Sequence, residues 1–176
     1  VYHVVQNLKI EGYTSEEPLP FSEKKKGAYR LWQPGEHWGD LFDCGWFHFT
    51  GTIPPENAGK HLAVLVDLSA EGLVVDQNGN PVQGLTSATS RNEFPLGLWG
   101  KRTVELKDCV NEQGQIDFWG DFTCMDIEGQ YRNNGRIKEA CLVWVDDLVR
   151  ETFYDWVVCQ SLFVGLCENG DAYGEE

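Results

Sequence analysis

The side chains able to do chemistry are four histidines, His3, His37, His48 and His61, and an excess of acid, with 28 Asp and Glu against 14 Lys and Arg. A catalytic zinc needs several His, Asp or Glu ligands converging on one point, commonly spaced as His-x-Asp or His-Glu-x-x-His. None of the four histidines belongs to such a unit. His48 lies between Phe47 and Phe49, and strand alternation puts it on the face opposite both. Glycoside hydrolysis needs two carboxylates roughly 5 to 9 Å apart. Asp67 and Glu71 bracket a loop, and Asp117 and Asp121 share a strand face, but neither pair stands out from solvated surface charge. No Gly-x-Ser-x-Gly nucleophile unit is present. The stretch Asp76-Gln77-Asn78-Gly79-Asn80 has the residue types of a calcium loop. Its glycine falls early, however, and Ser87 stands where a bidentate Glu is required, so a hairpin turn accounts for it better. We therefore expect no catalytic residue and no metal ligand in the chain.

The tryptophans remain. Of the seven, Trp32, Trp38 and Trp99 fall in Gly- and Pro-rich connections. Rings so placed either anchor the loops or stack on a sugar, and these three are the candidate carbohydrate-binding residues. Trp46, Trp119 and Trp144 read as sheet residues, and Trp156 as helix packing.

The elements that must position these side chains are mostly strands. The first forty residues, broken by Pro18, Pro20, Gly27, Pro34 and Gly35, read as irregular, with a short strand over 28–32. Trp46–Ile53 is aromatic and β-branched and stops at Pro54-Pro55. His61–Leu68 places Leu62, Val64 and Val66 on one face. Gly72–Asp76 and Pro81–Leu85 flank Asn78-Gly79, a hairpin signal in which both residues take positive φ. Arg102–Leu106, Gln115–Phe122 and Ile137–Val145 complete the set. Many short strands with turn-rich connections predict a mainly β fold, an antiparallel jelly-roll-like sandwich over 1–145. From Asp146 the period changes, and a helix of about five turns is expected to run to Leu166, with Asp146-Asp147 at its N-terminus. Residues 146–176 thus form a C-terminal helix and tail.

With 41% hydrophobic and 12% aromatic residues the chain has material for one packed core. A formal charge of −14 argues against nucleic acid and anionic membrane surfaces as partners. The six cysteines, Cys44, Cys109, Cys124, Cys141, Cys159 and Cys167, form no Cys-x-x-Cys pair, and Cys44, Cys124, Cys141 and Cys159 lie in apolar runs. Reduced, buried thiols and a cytoplasmic location are expected. No apolar run reaches membrane-spanning length.

Several segments, in order, resemble one family: Trp38-Gly39, Trp46-Phe47 with Ile53-Pro54, Glu71-Gly72-Leu73, Asn78-Gly79-Asn80-Pro81 with Gln83-Gly84-Leu85, and Phe153-Tyr154-Asp155. Together they resemble the N-terminal, galactose-binding-like β-domain of the class II α-mannosidases, glycoside hydrolase family 38. The resemblance runs over about residues 32–166. It implies a non-catalytic domain, serving support or assembly, ahead of a zinc-dependent catalytic barrel that acts on α-mannosides through an aspartate nucleophile. That barrel opens with a His-x-Asp zinc motif, which no position here matches. The implied partner is the downstream catalytic domain of the same polypeptide, with zinc as that domain's cofactor and none in this chain. A second reading is a carbohydrate-binding module that holds mannose-containing glycans through its loop aromatics; a third is an enzyme in its own right. The helix carries more apolar surface than one packing face needs. Phe153, Trp156, Leu162 and Leu166 are its candidate interface, for the catalytic portion or for a homo-oligomer.

Overall fold

The computed structural model describes residues 1–87, 100–125 and 135–169. Within them the strands are β1 (Tyr2–Asn7), β2 (Lys9–Ser15), β3 (Arg30–Trp32), β4 (His37–Gly39), β5 (Cys44–Thr52), β6 (Leu62–Asp67), β7 (Glu71–Val75), β8 (Pro81–Thr86), β9 (Thr103–Glu105), β10 (Gln115–Thr123), β11 (Gly135–Arg136) and β12 (Glu139–Val145), and the helix is α1 (Asp147–Asn169). They build a four-stranded sheet, β1-β12-β6-β9, a six-stranded sheet, β3-β2-β5-β10-β7-β8, and a small β11-β4 pair, antiparallel throughout.

The core is set by alternation. On β5 and β10 the inward residues are Phe47, Phe49, Ile116, Phe118 and Phe122, all buried. From the four-stranded sheet Leu62, Val64, Val66, Ala140 and Leu142 meet them. The opposite face of β6 and β12 is buried too, through Ala63, Leu65, Cys141, Val143 and Val145.

Two phenylalanines fix the centre of the six-stranded sheet. Phe47 stands opposite Gly12 of β2 and Gly120 of β10, and Phe122 stands opposite Gly45 of β5 and Gly72 of β7. The rings meet edge to face, 5.7 Å apart at 88°. A Cβ on Gly12 or Gly45 would lie 2.5 or 2.8 Å from the Phe47 ring, and on Gly72 or Gly120 2.3 or 2.5 Å from the Phe122 ring. The rings occupy the space that four side chains would otherwise need.

The two best-defined turns share one construction. In Asp76–Asn80 and in Asn111–Gln115, the glycine N–H donates to the first residue's carbonyl (3.1 and 3.0 Å), and the first residue's N–H donates to the fifth residue's carbonyl (3.0 Å in both). The first side chain also accepts from two backbone N–H groups. Gly79 (φ +86°) and Gly114 (φ +73°) take the left-handed position of a three-residue hairpin loop. The expected hairpin at Asn78-Gly79 is present, but its positive φ falls on Gly79 and not on Asn78.

The N-terminal segment departs from expectation. Residues 2–15 form β1 and β2 rather than irregular chain. Their apolar alternation is faint because β1 is an edge strand and the inward positions of β2 are Ile10, Gly12 and Thr14, only the first of them a large apolar residue. The helix starts where expected: Val149 N–H donates to the Asp146 carboxylate at 3.1 Å, an N-cap bond. It runs three residues past Leu166. Trp156, expected to pack, is 51% exposed, because α1 leaves the sandwich instead of lying on it.

The Phe47 and Phe122 hollows yield a prediction. Gly12→Ala and Gly72→Ala should each destabilise the sandwich by about 1–3 kcal/mol, the usual range for overpacking. Chemical denaturation measures this, and unchanged midpoints would mean that the rings move aside freely.

Candidate functional site

The outward residues of the six-stranded sheet form rows set by register. One row is Tyr13, Trp46, Asp121 and Leu73; the next is Glu11, His48, Trp119 and Val75. His48 and Trp119, directly opposed across β5 and β10, stack at 4.2 Å and 6°. Asp117, two residues before Trp119, lies 3.0 Å from His48 Nε2 through Oδ1. Sequence reading found these residues singly. Only the pairing of β5 with β10 brings them together.

A strap over residues 18–29 crosses this face. The Trp46 Nε1–H donates to the Leu19 carbonyl at 2.9 Å. Phe21 meets Trp46 edge to face at 5.8 Å and abuts Gly79, where a Cβ would be 2.6 Å away. The Lys24 ammonium sits 3.2 Å over the Phe21 ring and 5.3 Å from Trp119. Gly27 lies flat on the Tyr13 ring, with room for no Cβ. Tyr29 closes the strap, its hydroxyl donating to the Lys24 carbonyl and its ring meeting Trp119 at 5.7 Å.

Burial shifts groups in the strap and on the sheet face it crosses. Desolvation, with a smaller contribution from Tyr13, pushes the Tyr29 hydroxyl up to about 12. Desolvation followed by Lys25 lowers Lys24. Burial alone raises the Asp121 carboxyl to about 6. Asp117 and Asp121 are four residues apart on β10, about 13 Å at 3.3 Å per residue, beyond the span of a glycosidase pair. Asp67 is held by the Ser69 N–H at 2.9 Å and by Lys138, and Glu71 accepts from Thr86 Oγ1 at 2.5 Å.

The histidines stand apart, each with its own neighbour. His3 stacks on Trp144, His37 lies 3.3 Å from Asp40, His48 pairs with Asp117, and His61 Nδ1 lies 2.7 Å from Asp147. No group of three or more His, Cys, Asp or Glu converges as a ligand set among the described residues. These side chains do not fit a zinc ion.

The jelly-roll sandwich can now be set beside known families. A family model described as "Alpha-mannosidase, jelly roll domain", of the Ams1-like type, matches residues 5–143. The chain belongs to this α-mannosidase jelly roll family. No curated protein matches it. The match begins within β1 and ends within β12, so it reaches every strand of the sandwich and stops short of α1.

The α-mannosidase jelly roll uses its tryptophans differently from the sugar-stacking expectation. Trp32 and Trp38 are only 6% and 4% exposed. The Trp32 Nε1–H donates to the Gly12 carbonyl at 3.1 Å, and Trp38 donates to the Leu68 carbonyl at 2.8 Å while its ring meets Phe47 edge to face. Both rings serve the core and offer no open face to a sugar, because the segments that carry them form strands β3 and β4 and turn these side chains inward. Trp99 lies outside the described residues. On α1 the candidate interface is exposed at Trp156, Leu162 and Leu166 and half-buried at Phe153.

All six cysteines are free. Cys44, Cys109, Cys124 and Cys141 are buried, and desolvation raises each thiol, Cys109 to about 12 and Cys141 to about 11. Cys159, expected to be buried, is exposed with Cys167, because the apolar run around it belongs to the projecting helix.

Two predictions arise here. A native thiol titration should find two fast groups, Cys159 and Cys167, and a denatured one all six; more than two fast native thiols would show the sandwich to be open. The second concerns Asp121. Its folded pKa of about 6 exceeds the ordinary aspartate value of about 3.9, so between those values the folded state holds the extra proton and stability falls as pH rises. Asp121→Asn should therefore raise the melting temperature at pH 7, and the gain should vanish below about pH 4. A gain independent of pH would refute burial as its cause.

Proposed function

We propose that this chain is the non-catalytic N-terminal domain of a zinc-dependent α-mannosidase acting on α-mannosides, and that it supports the fold and assembly of the enzyme. The observation that carries this reading is the family match over residues 5–143, which spans the sandwich from β1 to β12. Zinc and the hydrolytic carboxylates belong, in this proposal, to the downstream catalytic domain of the same polypeptide, which is also where mannose-containing glycans bind. The chemistry of the chain itself is consistent with that division. Trp32 and Trp38 fill the core, Trp46 and Trp119 lie against the strap, and its paired strand carboxylates stand too far apart for glycoside cleavage.

Six unpaired thiols, four of them inside the sandwich, support a reducing, cytoplasmic setting for the enzyme. The formal charge of −14 speaks against nucleic acid and anionic lipid as partners. No helix among the described residues is long and apolar enough to cross a membrane.

Two measurements test the proposal. The purified chain should leave aryl α-mannosides intact with or without added zinc, and zinc-dependent turnover would overturn the division of labour. Reading the coding sequence past Glu176 should reveal a His-x-Asp zinc motif opening a catalytic domain; a stop there would overturn the placement.

A further inference from the structure

The strap over residues 18–29 is the loop of a hairpin folded back on its own sheet. It lies between the end of β2 at Ser15 and the start of β3 at Arg30, and β2 is paired with β3 on one side and with β5 on the other. Its fastening to the sheet face is thin. Among the described residues a single hydrogen bond joins the two, from the Trp46 indole N–H to the Leu19 carbonyl at 2.9 Å. The other contacts are made by rings and one cation: Phe21 against Trp46, Tyr29 against Tyr13 and Trp119, and Lys24 near Trp119. The remaining hydrogen bonds of the strap stay inside it. Phe21–Glu23 is a turn of 3-10 helix, the Lys24 and Lys26 N–H groups donate to the Phe21 and Glu23 carbonyls, and the Tyr29 hydroxyl donates to the Lys24 carbonyl. A segment bonded mainly to itself opens locally, at a free energy below that of global unfolding.

We propose that the strap is a lid that lifts from the six-stranded sheet while the sandwich stays folded, and that the charge on Asp121 favours its lifting. Phe21 meets Trp46 on β5 and abuts Gly79 at the tip of the β7–β8 hairpin, so it bridges β10, where Asp121 stands between Trp46 and Leu73. Asp121 is half-buried, and among the described residues nothing hydrogen-bonds or ion-pairs with it. Desolvation alone holds its carboxyl at about 6. The titratable groups around it offer no compensating cation. On β5 these are the Cys44 thiol and His48, which is paired with Asp117; on β7, Glu71, held by Thr86; on β2, Tyr13. Glu17 and Asp43, which act on Cys44 together with Asp121, add acid. From the strap come Tyr29 and Lys24, whose ammonium sits over the Phe21 ring. An ionised Asp121 is therefore better served by water than by the cover, and a neutral one is indifferent to it. Closure is undisturbed while the acid keeps its proton and weakens as pH rises through the covered group's titration. The inference concerns the sandwich alone and is independent of the mannosidase reading.

Hydrogen exchange of the Trp46 indole N–H is the test, followed by NMR on the purified chain and scaled at each pH to free tryptophan. The backbone N–H groups of β5 report global unfolding in the same sample. The indole should exchange through openings that leave β5 protected; equal protection of the two would show that the strap parts only when the sandwich unfolds, and would overturn the inference. Between pH 5 and pH 7 the scaled exchange should rise by about tenfold, as for an acid titrating at about 6 when covered and at about 3.9 in water. A flat profile would remove Asp121 from the device. Asp121→Asn keeps the shape and loses the charge, so it should abolish the rise; a rise that survives it belongs to another group and refutes the assignment. Phe21→Ala should speed indole exchange at every pH and leave β5 as it was, whereas β5 exchange rising in step would make the strap part of one cooperative core. The wild-type comparison of indole with β5 decides even where a variant fails to fold.

Discussion

The seating of Phe47 and Phe122 against four glycines constrains much of this sandwich. Each ring is flanked on both neighbouring strands by a residue with no side chain, so β2, β5, β10 and β7 fit together in one register. A slip of one residue would turn Phe47 and Phe122 to the outside and bring Trp46, His48 and Asp121 into the core. The outer face therefore inherits its composition from the inner one. His48 lies on Trp119, and Trp46 beside Asp121, because the phenylalanines between them have a single place to go.

The strap is the second layer of the same constraint. It is anchored by side chains that the register presents: the Trp46 indole, the Tyr13 ring beneath Gly27, and Trp119 against Tyr29. Aromatic surface that would otherwise face water is covered, and Lys24 caps it with a cation over two rings. The cost falls on Asp121, an acid on the covered face whose desolvation raises it to about 6. The face is thus better described as a second, smaller core than as a cleft.

How much of this was legible in the sequence depends on the kind of signal. The strands from Trp46 onward, the hairpin around Gly79 and the capped helix from Asp146 were readable because alternation, turn chemistry and capping act over a few residues. The family resemblance was readable for a different reason, the order of several weak segments, and the match over residues 5–143 agrees with it. β1 and β2 were not readable, since an edge strand and a strand whose inward positions include glycine show little apolar period. The tryptophans misled because a Gly- and Pro-rich connection looks exposed in one dimension, while Trp32 and Trp38 fold back through bonds to Gly12 and Leu68, far away in sequence. The His48–Trp119 stack had no signal in either strand alone, for it exists only in their pairing.

The root of α1 has a mechanical meaning. One residue separates the end of β12 from the start of the helix, and that residue, Asp146, caps the helix with its side chain while its N–H donates to the Val1 carbonyl at 2.9 Å. His61, at the start of β6, holds Asp147 at 2.7 Å. A joint bound from two neighbouring strands has little freedom to swivel. The 23-residue helix, about 34 Å long at 1.5 Å per residue, then behaves as a lever welded to the sheet. Whatever grips its far end acquires a fixed bearing on the sandwich, and a small tilt of β12 within the sheet becomes a displacement of several ångströms at the tip.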